Sequence, residues 1–114
     1  MMKHDLIVEK LESRLRDSYL YDSVETKLEY KTHGKEGECD ILAVRLGRAC
    51  LYVLAFEAKT TNSKKSQKRA YDQILRDLEF SHDRFNGPIR YWGFCAHSRG
   101  EGFEFHKVYK AFTP

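Results

Sequence analysis

The chain has 114 residues, with 20 lysines and arginines against 17 aspartates and glutamates and a formal charge of +3. That length reads as a single unit over residues 1–114, with room for one core and none for a separate regulatory domain. So small a net charge excludes a protein held to nucleic acid by its global field and leaves such binding to local clusters. The three cysteines, Cys39, Cys50 and Cys95, form no C-x-x-C pair. That spacing argues against a zinc site or a disulfide framework and favours a reducing cytoplasm. No signal-peptide pattern and no apolar run of about 18 residues is present, so a soluble chain with no membrane partner is expected.

Taken in chain order, Lys3 to Ser18 places Ile7, Val8, Leu11 and Leu15 at helical spacing. On a helical wheel Glu12 flanks that stripe, within reach of a sheet edge, and Glu9 lies nearly opposite. Val24, Thr26, Leu28 and Tyr30 alternate with Glu25, Lys27 and Glu29, the pattern of a half-exposed strand. Lys31 to Gly37 reads as a polar turn. Two apolar runs follow, Glu38 to Val44 and Leu51 to Lys59, joined through Leu46-Gly47-Arg48-Ala49. A Gly-X pair suits a two-residue type II′ turn, which predicts a hairpin closed at Gly47-Arg48.

After the polar segment Thr60 to Lys65, with Ser63 or Ser66 as helix cap, Gln67, Ala70, Tyr71, Ile74 and Leu78 share one face of a helix of about four turns. Gly87-Pro88 breaks the chain, and Ile89 to Ala96 is an apolar strand, laid parallel to the Glu57 strand by a right-handed crossover. A last strand near Phe103 to Tyr109 closes the sheet edge. The expected fold is α/β, of order α-β-β-β-α-β with a terminal strand: a mixed central sheet flanked by helices.

Within that frame three charges stand out. Asp40 enters the first apolar run, and Glu57 and Lys59 leave the second. Ionised groups among buried side chains must be paired, bind a cation or neutralise. The two-residue turn sets Asp40 facing Ala55 and Glu38 facing Glu57, so Asp40 and Glu57 become diagonal neighbours on one face with Lys59. Two carboxylates that close repel unless a divalent cation sits between them, and Mg²⁺ prefers oxygen ligands.

Asp40 and the triplet Glu57-Ala58-Lys59, preceded by a helix carrying Glu12 and followed by one carrying Gln73, resemble the PD-(D/E)xK nuclease superfamily. That superfamily, also called restriction-endonuclease-like, includes archaeal Holliday junction resolvases and viral and phage nucleases. The chain departs from it at Cys39, where the family motif has proline before the aspartate. The resemblance covers most of the chain and implies a restriction-endonuclease-like core and Mg²⁺- or Mn²⁺-dependent hydrolysis of DNA phosphodiesters, in recombination, repair or viral genome processing. It implies metal ligation by Asp40, Glu57, the Ala58 carbonyl and Glu12, water orientation by Lys59, a site-facing Gln73, and homodimers where two strands are cut. The superfamily's iron–sulfur branch needs four cysteine ligands, and this chain has three.

Each assignment has an ordinary alternative. The alternative for Asp40 is a strand-end acid whose carboxylate is solvated or accepts a backbone hydrogen bond, and for Glu57 with Lys59 a same-face ion pair, which would be worth little when exposed. Glu12 suits an i, i+4 pair with Arg16, and Gln73 an exposed helix position. Lys64, Lys65, Lys68 and Arg69 cluster where a helix begins, against its dipole, which points to phosphate contact over plain solubility. The rival function is a non-catalytic nucleic-acid-binding or assembly protein that keeps the fold as a scaffold. An RNA-directed nuclease is a third reading, since the motif is blind to the 2′-hydroxyl.

Overall fold

A computed structural model describes residues 2–114. Helix α1 (His4–Asp17) precedes three strands, β1 (Ser23–Thr32), β2 (Lys35–Leu46) and β3 (Leu51–Lys59). Helix α2 (Lys64–Arg84) then leads into β4 (Ile89–Arg99) and β5 (Gly102–Thr113). The five strands form one mixed sheet in sequence order. Every neighbouring pair is antiparallel except β3 and β4, which α2 connects in parallel. The chain is therefore α/β, with one helix on each face. No helix among the described residues is long and apolar enough to cross a membrane.

The two faces divide the apolar residues by pleat. Ile7, Val8, Leu11 and Leu15 of α1 pack on Ile41, Ala43, Phe56, Ala58 and Ala96. Ile74 of α2 packs on Leu42, Val44, Val53, Ala55 and Tyr91. Close approach of α2 depends on Gly93 in β4, where a Cβ would lie 2.2 Å from Ile74 Cγ2. Only glycine leaves the sheet flat enough there for that helix to seat.

Three expectations need correction. The polar turn expected over Lys31 to Gly37 is a tight hairpin, because His33 and Gly34 both take positive φ, +49° and +76°, as a type I′ turn requires, and strand pairing resumes at Lys35. The β2–β3 connection is not the two-residue Gly47-Arg48 turn. Leu46 pairs with Leu51, and Gly47 N–H donates to the Cys50 carbonyl at 2.9 Å, so Gly47 to Cys50 form the loop. This shifts the register by two residues, which preserves every face but changes every partner. Leu42, not Asp40, faces Ala55.

Helix α2 is also longer than expected, 21 residues or about six turns. Its buried stripe is Ala70, Ile74, Asp77 and Ser81, while Gln67 and Tyr71 are exposed. Ser63 is the cap, its hydroxyl accepting from Ser66 N–H at 3.1 Å.

Candidate functional site

The candidate site lies where β2 begins to pair with β3 and β3 leaves the sheet, at the carboxyl ends of the parallel β3–β4 pair. In open α/β sheets that end is where ligands gather. The last β2–β3 pair is Ile41 with Phe56, and one further step along the register sets Asp40 opposite Glu57. Asp40 ends the ladder with its side chain. Its Oδ2 accepts from Ala58 N–H at 2.8 Å and lies 3.1 Å from His4 Nε2 at the start of α1. His4 Nδ1 in turn lies 3.2 Å from Asp5. Asp40 is only 6% exposed.

Glu57 points under α2 and is 2% exposed. There it meets Asp77, which is wholly buried, and Cys39, with one ligand atom of each within 4.8 Å of the others. Asp77 is oriented through its other oxygen: the Tyr30 hydroxyl donates to Oδ1 at 2.5 Å, and Gln73 Nε2 lies 3.2 Å from the same atom. Glu57 Oε2 and Asp77 Oδ2 are left buried with no hydrogen-bond donor. Two such carboxylates cannot both stay ionised in a dry site without a proton or cation between them.

The titration behaviour follows from that geometry. Burial, then the carboxylates of Asp77 and Asp40, push Glu57 well above the ordinary carboxylate range. Burial also raises Asp77, and the Tyr30 and Gln73 donors oppose the rise. A proton or a cation between Glu57 and Asp77 would relieve both carboxylates. The Cys39 thiol is pushed up by burial and by Asp77 and Glu57, so it stays protonated at neutral pH; its Sγ contacts the Ile41 carbonyl at 3.2 Å.

Lys59 is half-buried, two residues beyond Glu57 on the same strand. Its ammonium opposes the upward push that burial gives the Cys95 thiol. Beside it in register stands His97, whose Nε2 lies 3.1 Å from Glu104. Arg99 Nη1 binds the other oxygen of that carboxylate at 2.6 Å.

No family model, curated protein or solved structure matches this chain. The residues themselves must carry the reading. The structure brings Asp40, Glu57 and Gln73 into one neighbourhood, with Lys59 at its rim. Glu12 stands apart: it pairs with Arg16 at 2.9 Å, one helical turn on, and α1 instead sends His4 to Asp40. Glu38 is exposed, and its carbonyl accepts from Gln73 at 2.7 Å. Lys64, Lys65, Lys68 and Arg69 are all exposed on the first turns of α2, the end that follows β3.

Sequence reasoning missed Asp77, Tyr30 and His4 as members of this neighbourhood. A signal for Asp77 was present. Ala70, Ile74, Asp77 and Ser81 recur at helical spacing, and a carboxylate within a buried stripe requires a partner. Tyr30 carried no comparable mark, because a strand tyrosine is ordinary. His4 lies before the apolar stripe of its helix, and only the docking of α1 brings it to Asp40.

Proposed function

We propose that the chain is a divalent-metal-dependent nuclease that hydrolyses DNA phosphodiesters and is built on a restriction-endonuclease-like core. The observation that carries this is the orphaned pair Glu57 Oε2 and Asp77 Oδ2, next to Asp40 and followed by Lys59. Buried carboxylate oxygens without donors fit a hard cation, and Mg²⁺ or Mn²⁺ suits an oxygen set. Asp40, Glu57 and the Ala58 carbonyl would hold the ion, with Asp77 as a further carboxylate, while Glu12, paired with Arg16, would take no part. When bound, the ion would supply Lewis-acid stabilisation of the phosphoryl oxygens.

The chain's own groups would do the rest. Lys59 would orient the attacking water and neutralise charge that develops on phosphate. Gln73 and Tyr30 hold Asp77 in place. Lys64, Lys65, Lys68 and Arg69 would take the flanking phosphates, aided by the donors at the start of α2. A homodimer would allow both strands of a duplex to be cut.

A second reading has its own support. Asp40 Oδ2 is already engaged by Ala58 N–H and His4, and one shared proton would relieve Glu57 and Asp77 without any metal. A protein that keeps this cluster as structure and binds nucleic acid without cutting it fits those contacts. Calorimetric titration of Mg²⁺ and Mn²⁺ into the wild type and Glu57→Gln, beside a cleavage panel of branched, single-stranded and duplex DNA, separates the two. Metal binding lost in the variant, together with metal-dependent cleavage by the wild type, supports the nuclease. No metal binding and no cleavage leave the scaffold.

A further inference from the structure

Helix α1 covers only one end of its sheet face. Its buried stripe reaches Ile41, Phe56, Ala58 and Ala96, and the opposite end of the same face carries no helix. The strand registers make a row across that open end. Arg45 of β2 pairs with Tyr52 of β3, Tyr52 with Arg90 of β4, and Arg90 with Phe112 of β5. Cation and aromatic ring thus alternate across four strands. One step further along, Leu54 pairs with Trp92 and Trp92 with Lys110.

The rings are presented, not buried. Phe112 is 53% exposed, Tyr52 and Trp92 are half-buried, and Arg45, Arg90 and Lys110 are exposed. Tyr52 and Trp92 stack with centroids 5.9 Å apart and planes 14° apart, and the Arg90 guanidinium lies 5.0 Å from the Phe112 ring centre. Two shallow depressions meet at Trp92, and no carboxylate lines either. Among the described residues none of Arg45, Arg90 and Lys110 joins an ion pair. In a chain with 20 basic and 17 acidic residues, that segregation gives the face a sign of its own.

We infer that this open half-face binds single-stranded nucleic acid, with unpaired bases on Trp92, Tyr52 and Phe112 and the backbone phosphates on Arg45, Arg90 and Lys110. Aromatic platforms flanked by cations are what single strands require, since every base has a π-face and every linkage a negative charge. A duplex hides its base faces, so it can use the cations but not the rings. An acidic protein partner would use the cations without needing flat stacked rings. The surface lies on the face opposite α2, and Tyr52 is five residues from Glu57, roughly 17 Å along the strand. It therefore stands whether or not the metal-site reading holds, and binding is measured in EDTA so that the two fail separately.

The test is fluorescence anisotropy of a labelled oligothymidylate titrated with the protein in EDTA at several salt concentrations. Trp92 is the sole tryptophan, so quenching of its emission reports contact at the face directly. The expected result is saturable binding with quenching, and weaker binding to a duplex of equal length. Arg45→Glu/Arg90→Glu/Lys110→Glu should lower affinity at least tenfold and flatten the log–log salt slope by about 2, near 0.7 per phosphate contact. Trp92→Ala should weaken binding roughly tenfold, with Trp92→Phe retaining most of it. Circular dichroism of each variant checks the fold, and the charge variants alter only exposed side chains. Unquenched emission with full affinity in the triple variant would overturn the inference. So would concentration-dependent self-association abolished by the same substitutions without oligonucleotide binding, which assigns the face to a second copy of the chain.

Discussion

Glu57 on β3 and Asp77 on α2 face each other beneath the helix, each with a carboxylate oxygen that has no donor. Because Tyr30 and Gln73 occupy the far oxygen of Asp77, that carboxylate cannot turn away from Glu57. The contact is thus enforced from three elements, and relief requires a proton or a cation.

Glu57→Gln should therefore abolish metal-dependent cleavage while keeping or raising stability, by about 1 kcal/mol, since an amide donates to Asp77 without needing a proton. The sign of the pH dependence follows from the upward shift of Glu57. Its contribution to stability is fully present below the ordinary carboxylate pKa and is lost as pH rises through its raised value in the fold. Urea melts of wild type and variant at pH 5 and 9 should show a gap in the variant's favour that widens at the higher pH. A gap independent of pH would mean that Glu57 carries no proton.

Asp40→Asn should also remove cleavage, yet stay folded, because its amide oxygen can still accept from Ala58 N–H. Asp40→Ala leaves that donor buried and unsatisfied, at a cost of about 1–3 kcal/mol. Thermal melts of both variants beside a cleavage assay check the pair, and equal stability would show that the bond to Ala58 contributes little.

Lys59→Ala should bind metal as the wild type does and cleave at least roughly 100-fold more slowly, the lower end of what a positioned proton-transfer group supplies. Turnover at wild-type rate under saturating metal would reduce Lys59 to a bystander at the rim.

Charge removal at Lys64, Lys65, Lys68 and Arg69 should weaken duplex binding and flatten the salt slope, by about 0.9 per lost phosphate contact. Should the slope stay put, the DNA path runs elsewhere. Arg84 is engaged by Glu25 and Arg99 by Glu104, whereas Arg90 joins no ion pair among the described residues.

Gly93→Ala should destabilise the fold by about 1–3 kcal/mol, because its Cβ would fall 2.2 Å from Ile74 Cγ2. Adding Ile74→Ala should recover part of the loss, and a double-mutant cycle reads the coupling. Additive effects would place the strain at another contact.

Much of this molecule follows from local pattern. The helical spacing of Ile7, Val8, Leu11 and Leu15, the alternation of β1 and the apolar runs ending at Val44 and Lys59 each carry their own period, and the period sets which face is buried. Asp40, Glu57 and Lys59 were legible as a group because charges at the ends of buried strands are costly wherever the strands go. Partner identity is another matter. A register shifted by two residues keeps the same faces, so the four-residue loop that sets Asp40 against Glu57 leaves no mark in the pattern. Whether α1 offers Glu12 or His4 to Asp40 depends on how that helix docks on its own face, and the rotation of α2 that sets Asp77 beside Glu57 is fixed by contacts such as Ile74 on Gly93. The alternating row Arg45, Tyr52, Arg90 and Phe112 comes from four strands, and only their pairing creates it.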